Sequence, residues 1–467
     1  LADKEIEMKK RLSIHQFAVI AISLFAMACS QSKKVETVEK TVYQDVPYLQ
    51  DYSIKFTIEI PGVELKKVAA DRNGVIQVLS SQGLLRPING HFQYPGKLEP
   101  DRTYRPMADK KVVDLINYQN QFVYLDDKAV FSNAWAGKLF DKHTLSEATI
   151  VCGGDDFTFL VSDGESLTLT QNAEILFEEK SLANAILDIK FTLGKFYLLS
   201  ANAIHSFDPA SKKLSKIHDG SALTCFEVSA NSNSIIIGTN NGYYSMDISG
   251  NSITPKNAKL PWTELTAINE IDGKVWFGST KGAFMLRDDG KFNYYYGRRW
   301  LPGETIFDIA KGPDNSVLVL TDKGLGQICF KPMTLEDKAV MYEHQVRQRH
   351  IRYGINSNVT QLENGDLSTA ENRVADSDNL WTGMYLGSQV FRYLATGSEE
   401  AKQNCYESFE AMERMHQING IKGLFGRSFE RRGYQDFKPE YRDYVNDYWY
   451  EGYQGTISWR HADDEEW

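Results

Sequence analysis

The sequence predicts a mainly β chain with an α C-terminal part: a seven-bladed β-propeller followed by a partial helical-hairpin domain. Two observations carry this reading. From about Ile54 to Phe330, short apolar runs are separated by Asp, Asn and Gly at a steady interval. After Phe330 the apolar residues take up helical spacing instead.

The strand-rich part is clearest at Gly273-Lys274-Val275-Trp276-Phe277-Gly278-Ser279-Thr280-Lys281-Gly282-Ala283-Phe284-Met285-Leu286, a strand, a tight turn at Lys281-Gly282 and a second strand. The same frame returns at Asn73–Leu85, Ser234–Tyr243 and Ser316–Leu325, with looser copies near Gln121, Asp156 and Lys195. Unit starts near 74, 121, 156, 195, 234, 274 and 315 repeat about every 40 residues, the length of a propeller blade. A blade cannot bury both faces alone, so stacking around an axis is the stable solution. A pair of β-sandwiches and a β-solenoid are the alternatives. Gly242, Gly282 and Gly324 are expected in the hairpin turns, with positive φ where the turn is of the primed type.

The helical part opens at Pro332-Met333-Thr334-Leu335 with a stretch to about Arg352. A second helix fits Asp378 to Ala395, where Leu380, Met384, Gly387, Phe391 and Leu394 form one apolar stripe. Gly397 stops it, Ser398 caps the next helix, and that helix runs to about Ile418. The expected organisation is a leader over 1–28, a lipidated tether over 29–53, the propeller over 54–330 and the helical domain over 331–467.

The leader reading rests on the basic patch Met8-Lys9-Lys10-Arg11, the apolar run Phe17 to Ala28 and Ala26-Met27-Ala28-Cys29. These are the parts of a secretory signal, and the apolar run is too short to span a bilayer. Leu1 to Glu7 precede the natural start expected at Met8. The segment resembles the lipobox of bacterial lipoproteins, with Ala26 where that family usually has leucine. The resemblance implies lipid on Cys29 and a place in the cell envelope, at the outer membrane or the periplasmic face. An ordinary signal peptide with a chance cysteine is the other reading.

Composition narrows the function classes. Hydrophobic content is 42 %, charged content 24 %, and aromatics are rich at 12 %, as in many β-rich and sugar-binding proteins. The net charge of −10 argues against a nucleic-acid partner, which needs basic stripes. Cys152, Cys225, Cys329 and Cys405 lack metal-ligand spacing, so no zinc or other metal is expected. They read as buried thiols, although an exported chain can pair two of them. Neither phosphate-loop nor Rossmann, serine-hydrolase or zinc-protease signatures occur, and no cofactor is expected.

Asp376-Ser377-Asp378-Asn379-Leu380-Trp381 and Tyr385 open the second helix with carboxylates and aromatics, the residue types a sugar site needs. Asp378 is the candidate catalytic carboxyl; Trp381, Tyr385, His416 and Arg427 are the candidate substrate contacts. Capping by Ser377 or Asp378, core roles for Trp381 and Tyr385, and surface roles for His416 and Arg427 stand beside this reading. Asp366 and Glu371 read as solvated loop.

The units Lys274–Leu286 and Gly74–Arg86 resemble the two-component-regulator type of propeller repeat, found in periplasmic sensors and in surface proteins of polysaccharide-degrading bacteria. The segment from Arg352-Tyr353-Gly354 through Asp376–Thr382, Phe391–Gly397 and Gly420–Gly423 to Arg427-Ser428 is similar to the start of an (α/α)6 toroid of six-hairpin glycosidases. That resemblance implies carbohydrate handling by an incomplete toroid, because the 137 residues after Phe330 hold too few helices to close one. Whether the chain is an enzyme stays open. The expected partners are a polysaccharide or oligosaccharide and a membrane reached through the lipid; a protein partner is the alternative, with the chain acting as a sensing or assembly module.

Overall fold

The structure, a computed structural model, describes residues 44–430 except 104–109, 230, 251, 362, 364–365, 374 and 419, together with three short strands beyond them, Asp443–Asn446, Trp449–Glu451 and Ser458–Arg460. The leader and Cys29 lie outside the described residues. Contacts divide the chain into Leu1–Val46 and Pro47–Trp467, and every described strand and helix belongs to the second unit. Among the described residues no helix is long and apolar enough to cross a membrane.

The chain is mainly β, built from small antiparallel sheets of consecutive strands. After β1 (Tyr48–Thr57), the first sheet runs β2 (Leu65–Ala70), β3 (Ile76–Ser80), β4 (Gly83–Ile88), β5 (Gly96–Pro100). Then come β6 (Asp114–Tyr118), β7 (Gln121–Leu125), β8 (Ala129–Phe131), β9 (Phe140–Lys142), and β10 (Ile150–Gly153), β11 (Phe159–Ser162), β12 (Leu167–Gln171), β13 (Glu174–Glu179). The next sheets are β14 (Ile186–Thr192), β15 (Lys195–Ser200), β16 (Ala203–Asp208), β17 (Lys213–Asp219), and β18 (Leu223–Ser229), β19 (Ser234–Thr239), β20 (Gly242–Asp247). In the latter, bridges from Tyr243 to Asn257 and Met246 to Ile253 take the place of a fourth strand. The series ends with β21 (Leu265–Ile271), β22 (Lys274–Ser279), β23 (Gly282–Leu286), β24 (Phe292–Tyr295), and β25 (Ile306–Gly312), β26 (Ser316–Thr321), β27 (Gly324–Met333).

β1 completes the last sheet and also pairs parallel with β5 at Phe56 and Thr57, so the first and last sets of strands join as one eight-stranded sheet. β1 pairs antiparallel with β27 from Tyr48↔Met333 to Thr57↔Gly324, so the two ends of the strand-rich region are tied together. This corrects the tether boundary: the strand begins at Tyr48, inside the stretch assigned to the tether. Its Tyr52, Ile54 and Phe56 supply the alternation that the polar residues before it lack.

Each repeated frame read from the sequence is the hairpin of the second and third strands; the first strand precedes it. The first strands pack in order: β2 on β6, β6 on β10, β10 on β14, β14 on β18, β18 on β21, β21 on β25, and β25 on β2. Apolar side chains fill the spaces between neighbouring sheets. Leu160, Leu169, Phe196 and Phe207 form one such layer and Trp276, Tyr295, Ile306 and Val319 another, each residue 1 % exposed or less. Burial of each large side chain contributes about 1.5–3 kcal/mol.

The hairpin turns share one device. A buried Ser or Thr ends the second strand, donates its hydroxyl to a carbonyl three residues on and accepts an N–H two residues on. Thr239 does this to Gly242 O (2.8 Å) and Asn241 N (3.1 Å), Ser279 to Gly282 O (2.7 Å) and Lys281 N (3.1 Å), and Thr321 to Gly324 O (2.9 Å) and Lys323 N (3.2 Å). Gly242, Gly282 and Gly324 have φ of 91°, 93° and 142°. Among these turns positive φ falls on the glycine after the two central residues, not on those residues, so the turns are not of the primed type.

The helical part follows directly. α1 (Leu335–Arg349) starts in a capping box, in which Thr334 accepts from Asp337 N and Asp337 from Thr334 N. Short strands β28 (Ile351–Arg352) and β29 (Ile355–Asn356) pair, as do β30 (Asn358–Thr360) and β31 (Glu371–Arg373). α2 (Asp378–Thr396) ends at left-handed Gly397, and α3 (Glu399–Gln417) is capped by Ser398 through Ala401 N. α2 and α3 pack on each other and on β29. Lys338 of α1 donates to Gln50 of β1 at 2.7 Å.

Candidate functional site

The residues chosen from the sequence gather around the start of α2, but in unequal settings. Asp378 is fully buried. Its Oδ2 accepts from Ala375 N (2.9 Å) and Ser428 Oγ (2.7 Å), and Oδ1 is buried without a hydrogen-bond partner. Burial raises its pKa, against the lowering effect of these two donors. Ser377 makes no side-chain cap, and Asp378 bonds back to Ala375 N ahead of the helix rather than to a helix N–H. Trp381 is 42 % exposed, whereas Tyr385 is buried and donates to Glu343 Oε1 at 2.7 Å. Arg427 is exposed and pairs with exposed Asp376 at 3.1 Å. His416 lies near Phe425, at the far end of α3. Asp366 and the exposed Glu371, read as solvated, cap a turn and pair with Arg373 respectively.

The apolar stripe of α2 is its exposed side. Leu380, Met384, Phe391 and Leu394 are 56–74 % exposed, while Asp378, Thr382, Tyr385 and Gln389 face inward. The inward face closes on Glu343 of α1, which accepts from Tyr385, from Gln389 Nε2 (2.7 Å) and from Asn404 Nδ2 (3.0 Å). Three groups on two helices are thereby fixed by one carboxylate on a third.

A second constellation was missed by sequence reasoning. It sits where the first strands of the sheets face one another. Lys67 on β2 pairs with Asp114 on β6 at 2.8 Å, and Lys190 on β14 approaches Glu227 on β18 at 3.4 Å and Asp188 at 3.9 Å. Asp114 accepts from Leu115 N and, across to β10, from Val151 N, both at 2.8 Å. Asp308 on β25 repeats this with Ile309 N and, across to β2, Val68 N, both at 2.9 Å. Carboxylates thus stitch one first strand to the next. Bulges at Ile306/Asp308 and Ile186/Asp188 re-aim these residues and turn Phe307 and Leu187 outward.

The electrostatics follow from enclosure by protein with limited water access. Burial pushes the Asp308 carboxyl up to about 6 and raises Glu227 as well. Burial opposes the charges of Lys67 and Lys190, but the surrounding carboxylates outweigh it and hold both ammonium groups above their usual range. Cys152 and Cys225 have thiols pushed up by burial to about 12, so they are unreactive at neutral pH. All four described cysteines are free, and no metal-binding group of His, Cys, Asp or Glu occurs among the described residues. The signal was present in the sequence as charge inside apolar runs: Leu65-Lys66-Lys67-Val68, Val112-Val113-Asp114-Leu115, Ile186-Leu187-Asp188-Ile189 and Ile306-Phe307-Asp308-Ile309. Beside these strands a cleft of about 460 Å³ opens between the β2–β3, β6–β7 and β25–β26 turns, bordered by Asp71, Arg72, Asn117, Lys311 and Asp314.

Fold and site together define a mainly β, propeller-like chain that carries a short helical part. No family model matches the sequence, and no curated protein matches it. Solved structures similar in fold include a streptogramin B lyase (16 % identity, TM-score 0.46, 60 % of this chain and 98 % of that one). They also include the extracellular domain of a putative hybrid two-component system from B. thetaiotaomicron (13 %, 0.46, 59 % of this chain and 39 % of that one). The WD40 domain of Neurospora crassa Pan2 is a third (10 %, 0.45, 62 % and 96 %).

Proposed function

We propose that this chain is a cell-envelope lipoprotein, held by lipid on Cys29, whose strand-rich part is a seven-bladed β-propeller serving as a glycan-binding platform. The helical part is then the remnant of a sugar site that does not turn substrate over. The ring is supported by the ordered packing of first strands, which returns from β25 to β2, and by β1 completing the last sheet. The observation that carries binding over catalysis is Asp378. Glycoside chemistry generally needs two carboxyl groups about 5–10 Å apart across the scissile bond. The carboxyl offered by the sequence is fully buried, and its Oδ2 is taken by Ala375 and Ser428. The exposed apolar side of α2 favours a second reading, a non-enzymatic sensing or assembly module that holds a protein partner.

Glycan arrays and reducing-end assays on neutral and acidic polysaccharides test the proposal. Retention of glycan without release of new reducing ends is expected, unchanged in Asp378→Asn. Turnover that disappears in Asp378→Asn would overturn the reading. For the anchor, Cys29→Ala should release the protein from membranes or block its maturation; fractionation and migration like the parent chain would refute it.

A further inference from the structure

A cluster of aromatic and charged side chains surrounds the turn between β22 and β23, away from the helical part and from the buried charges. Trp262 precedes β21, Lys281 lies in the turn itself, and Tyr294 and Tyr296 lie at the end of β24 and just beyond it. Strand alternation sends Tyr295 inward, where it is 1 % exposed against Trp276, and its two neighbours outward. Tyr294 and Tyr296 stack with centroids 5.6 Å apart and planes only 7° from parallel. Trp262 and Tyr294 are 37 % and 38 % exposed.

These rings are anchored by their polar ends. The Trp262 indole N–H donates to Thr280 Oγ1 at 2.8 Å, and the Thr280 hydroxyl donates to Glu264 Oε2 at 2.7 Å. The Tyr296 hydroxyl donates to Glu304 Oε1 at 2.8 Å, and that of Tyr294 to the Lys281 carbonyl. The Lys281 ammonium stands 5.0 Å from the Trp262 ring centre and 5.7 Å from that of Tyr296, which brings the indole and the phenols to one place. With their polar atoms already engaged, the rings offer a ligand the faces not turned toward Lys281 or toward one another. Glu264 and Glu304 are exposed, and each keeps a second oxygen without a hydrogen-bond partner among the described residues.

We propose that Trp262, Tyr294 and Tyr296 form a platform for an uncharged pyranose of an oligosaccharide. Aromatic faces carry negative potential and attract the polarised C–H face of a sugar ring. The free oxygens of Glu264 and Glu304 accept from its hydroxyls, and Lys281 donates. Two carboxylates against one ammonium give the locus a net negative charge, which disfavours a uronate and selects a neutral sugar. The proposal rests on the glycan-binding reading above and gives it a location.

The test is calorimetric titration of the full chain with neutral gluco-, xylo- and manno-hexasaccharides and with a galacturonate hexamer. Binding of at least one neutral sugar is expected, with tenfold or greater loss in Trp262→Ala and in Tyr294→Ala and partial retention in Trp262→Phe. Melting temperatures near that of the parent chain confirm that the variants fold. Glycan binding unaffected by Trp262→Ala and Tyr294→Ala overturns the platform and leaves the glycan-binding reading standing. Preference for the galacturonate overturns the neutral class. No binding of any sugar overturns both.

Discussion

Asp308→Asn isolates the energetics of the buried charges. In the folded chain the Asp308 carboxyl sits at about 6, against 3.8 for the free side chain, chiefly because burial disfavours its charge. The folded state therefore holds this proton more tightly than the unfolded chain. Stability from this group rises as pH falls through 6 toward 3.8, and above 6 the folded chain bears the full cost of the enclosed carboxylate. Two units at about 1.4 kcal/mol each set an upper bound of about 3 kcal/mol. Water reaching the cluster, where Lys67 and Lys190 keep 34 % and 29 % of their side-chain surface, cuts this to about 1–2 kcal/mol. Asparagine cannot titrate, while Glu227, Asp114, Asp188 and both lysines remain in the variant and cancel to first order. Urea unfolding of both proteins at pH 7.5, 6.5, 5.5 and 4.5 reads the difference directly. The parent chain should gain about 1–2 kcal/mol on the variant from the highest pH to the lowest. A difference that stays flat, or moves the other way, would refute an enclosed carboxyl with a raised pKa.

Two further perturbations probe the frame. Thr321→Val keeps the side-chain shape but removes the donor to Gly324 O and the acceptor for Lys323 N, and should cost about 1–2 kcal/mol in urea unfolding. Gly324→Ala should cost more, about 2–4 kcal/mol, because its new carbon would fall 2.0 Å from the Phe56 carbonyl of β1 at a φ of 142°. Equal costs for the two variants would show that β1 yields easily. In the helical part, Glu343→Leu strands the Tyr385 hydroxyl and the amides of Gln389 and Asn404; a loss of about 3 kcal/mol or more is expected, read as protease susceptibility between α1 and α3. Unchanged protection would mean that the three helices do not depend on that carboxylate.

Much of the strand-rich part is legible in the sequence because one hairpin is written repeatedly in strong local signals. An apolar run, a hydroxyl residue, two turn residues and a glycine recur as Val275–Gly282, Ile235–Gly242 and Val317–Gly324. What escapes is the first strand of each sheet. Its residues meet the first strands of two neighbouring sheets, so polar side chains there serve partners distant in sequence: Asp308 reaches Val68 and Asp114 reaches Val151. A single strand read alone gives such a residue no partner and no reason. β1 escapes for the same cause. Tyr48 to Ser53 become a strand only against β27, which is supplied at the other end of the strand-rich region.

The helical part shows why periodicity alone leaves direction undetermined. α2 carries two stripes of helical spacing. One is Leu380, Met384, Gly387, Phe391 and Leu394; the other is Asp378, Thr382, Tyr385 and Gln389. Burial of apolar area is the main driving force of folding, so the first stripe is the expected inner face. The structure buries the second, because Glu343 offers acceptors to Tyr385, Gln389 and Asn404 at once, and Thr382 accepts from Asn356 N and donates to the Asp378 carbonyl. Apart from Asp378 Oδ1, the polar groups named on this face are paired, and breaking those pairs costs several kcal/mol, so they fix which way the helix faces. The same geometry decides the candidate site. Asp378 belongs to the inner stripe and is committed to the loop at Ala375 and to Ser428, while Trp381, one turn on at the border of that stripe, is 42 % exposed. An acid and an aromatic residue one turn apart on α2 thereby differ in access: the acid is enclosed and bonded to its own loop, and the ring stays half-open, which leaves a ring face, rather than an acid, as the surface open to a ligand.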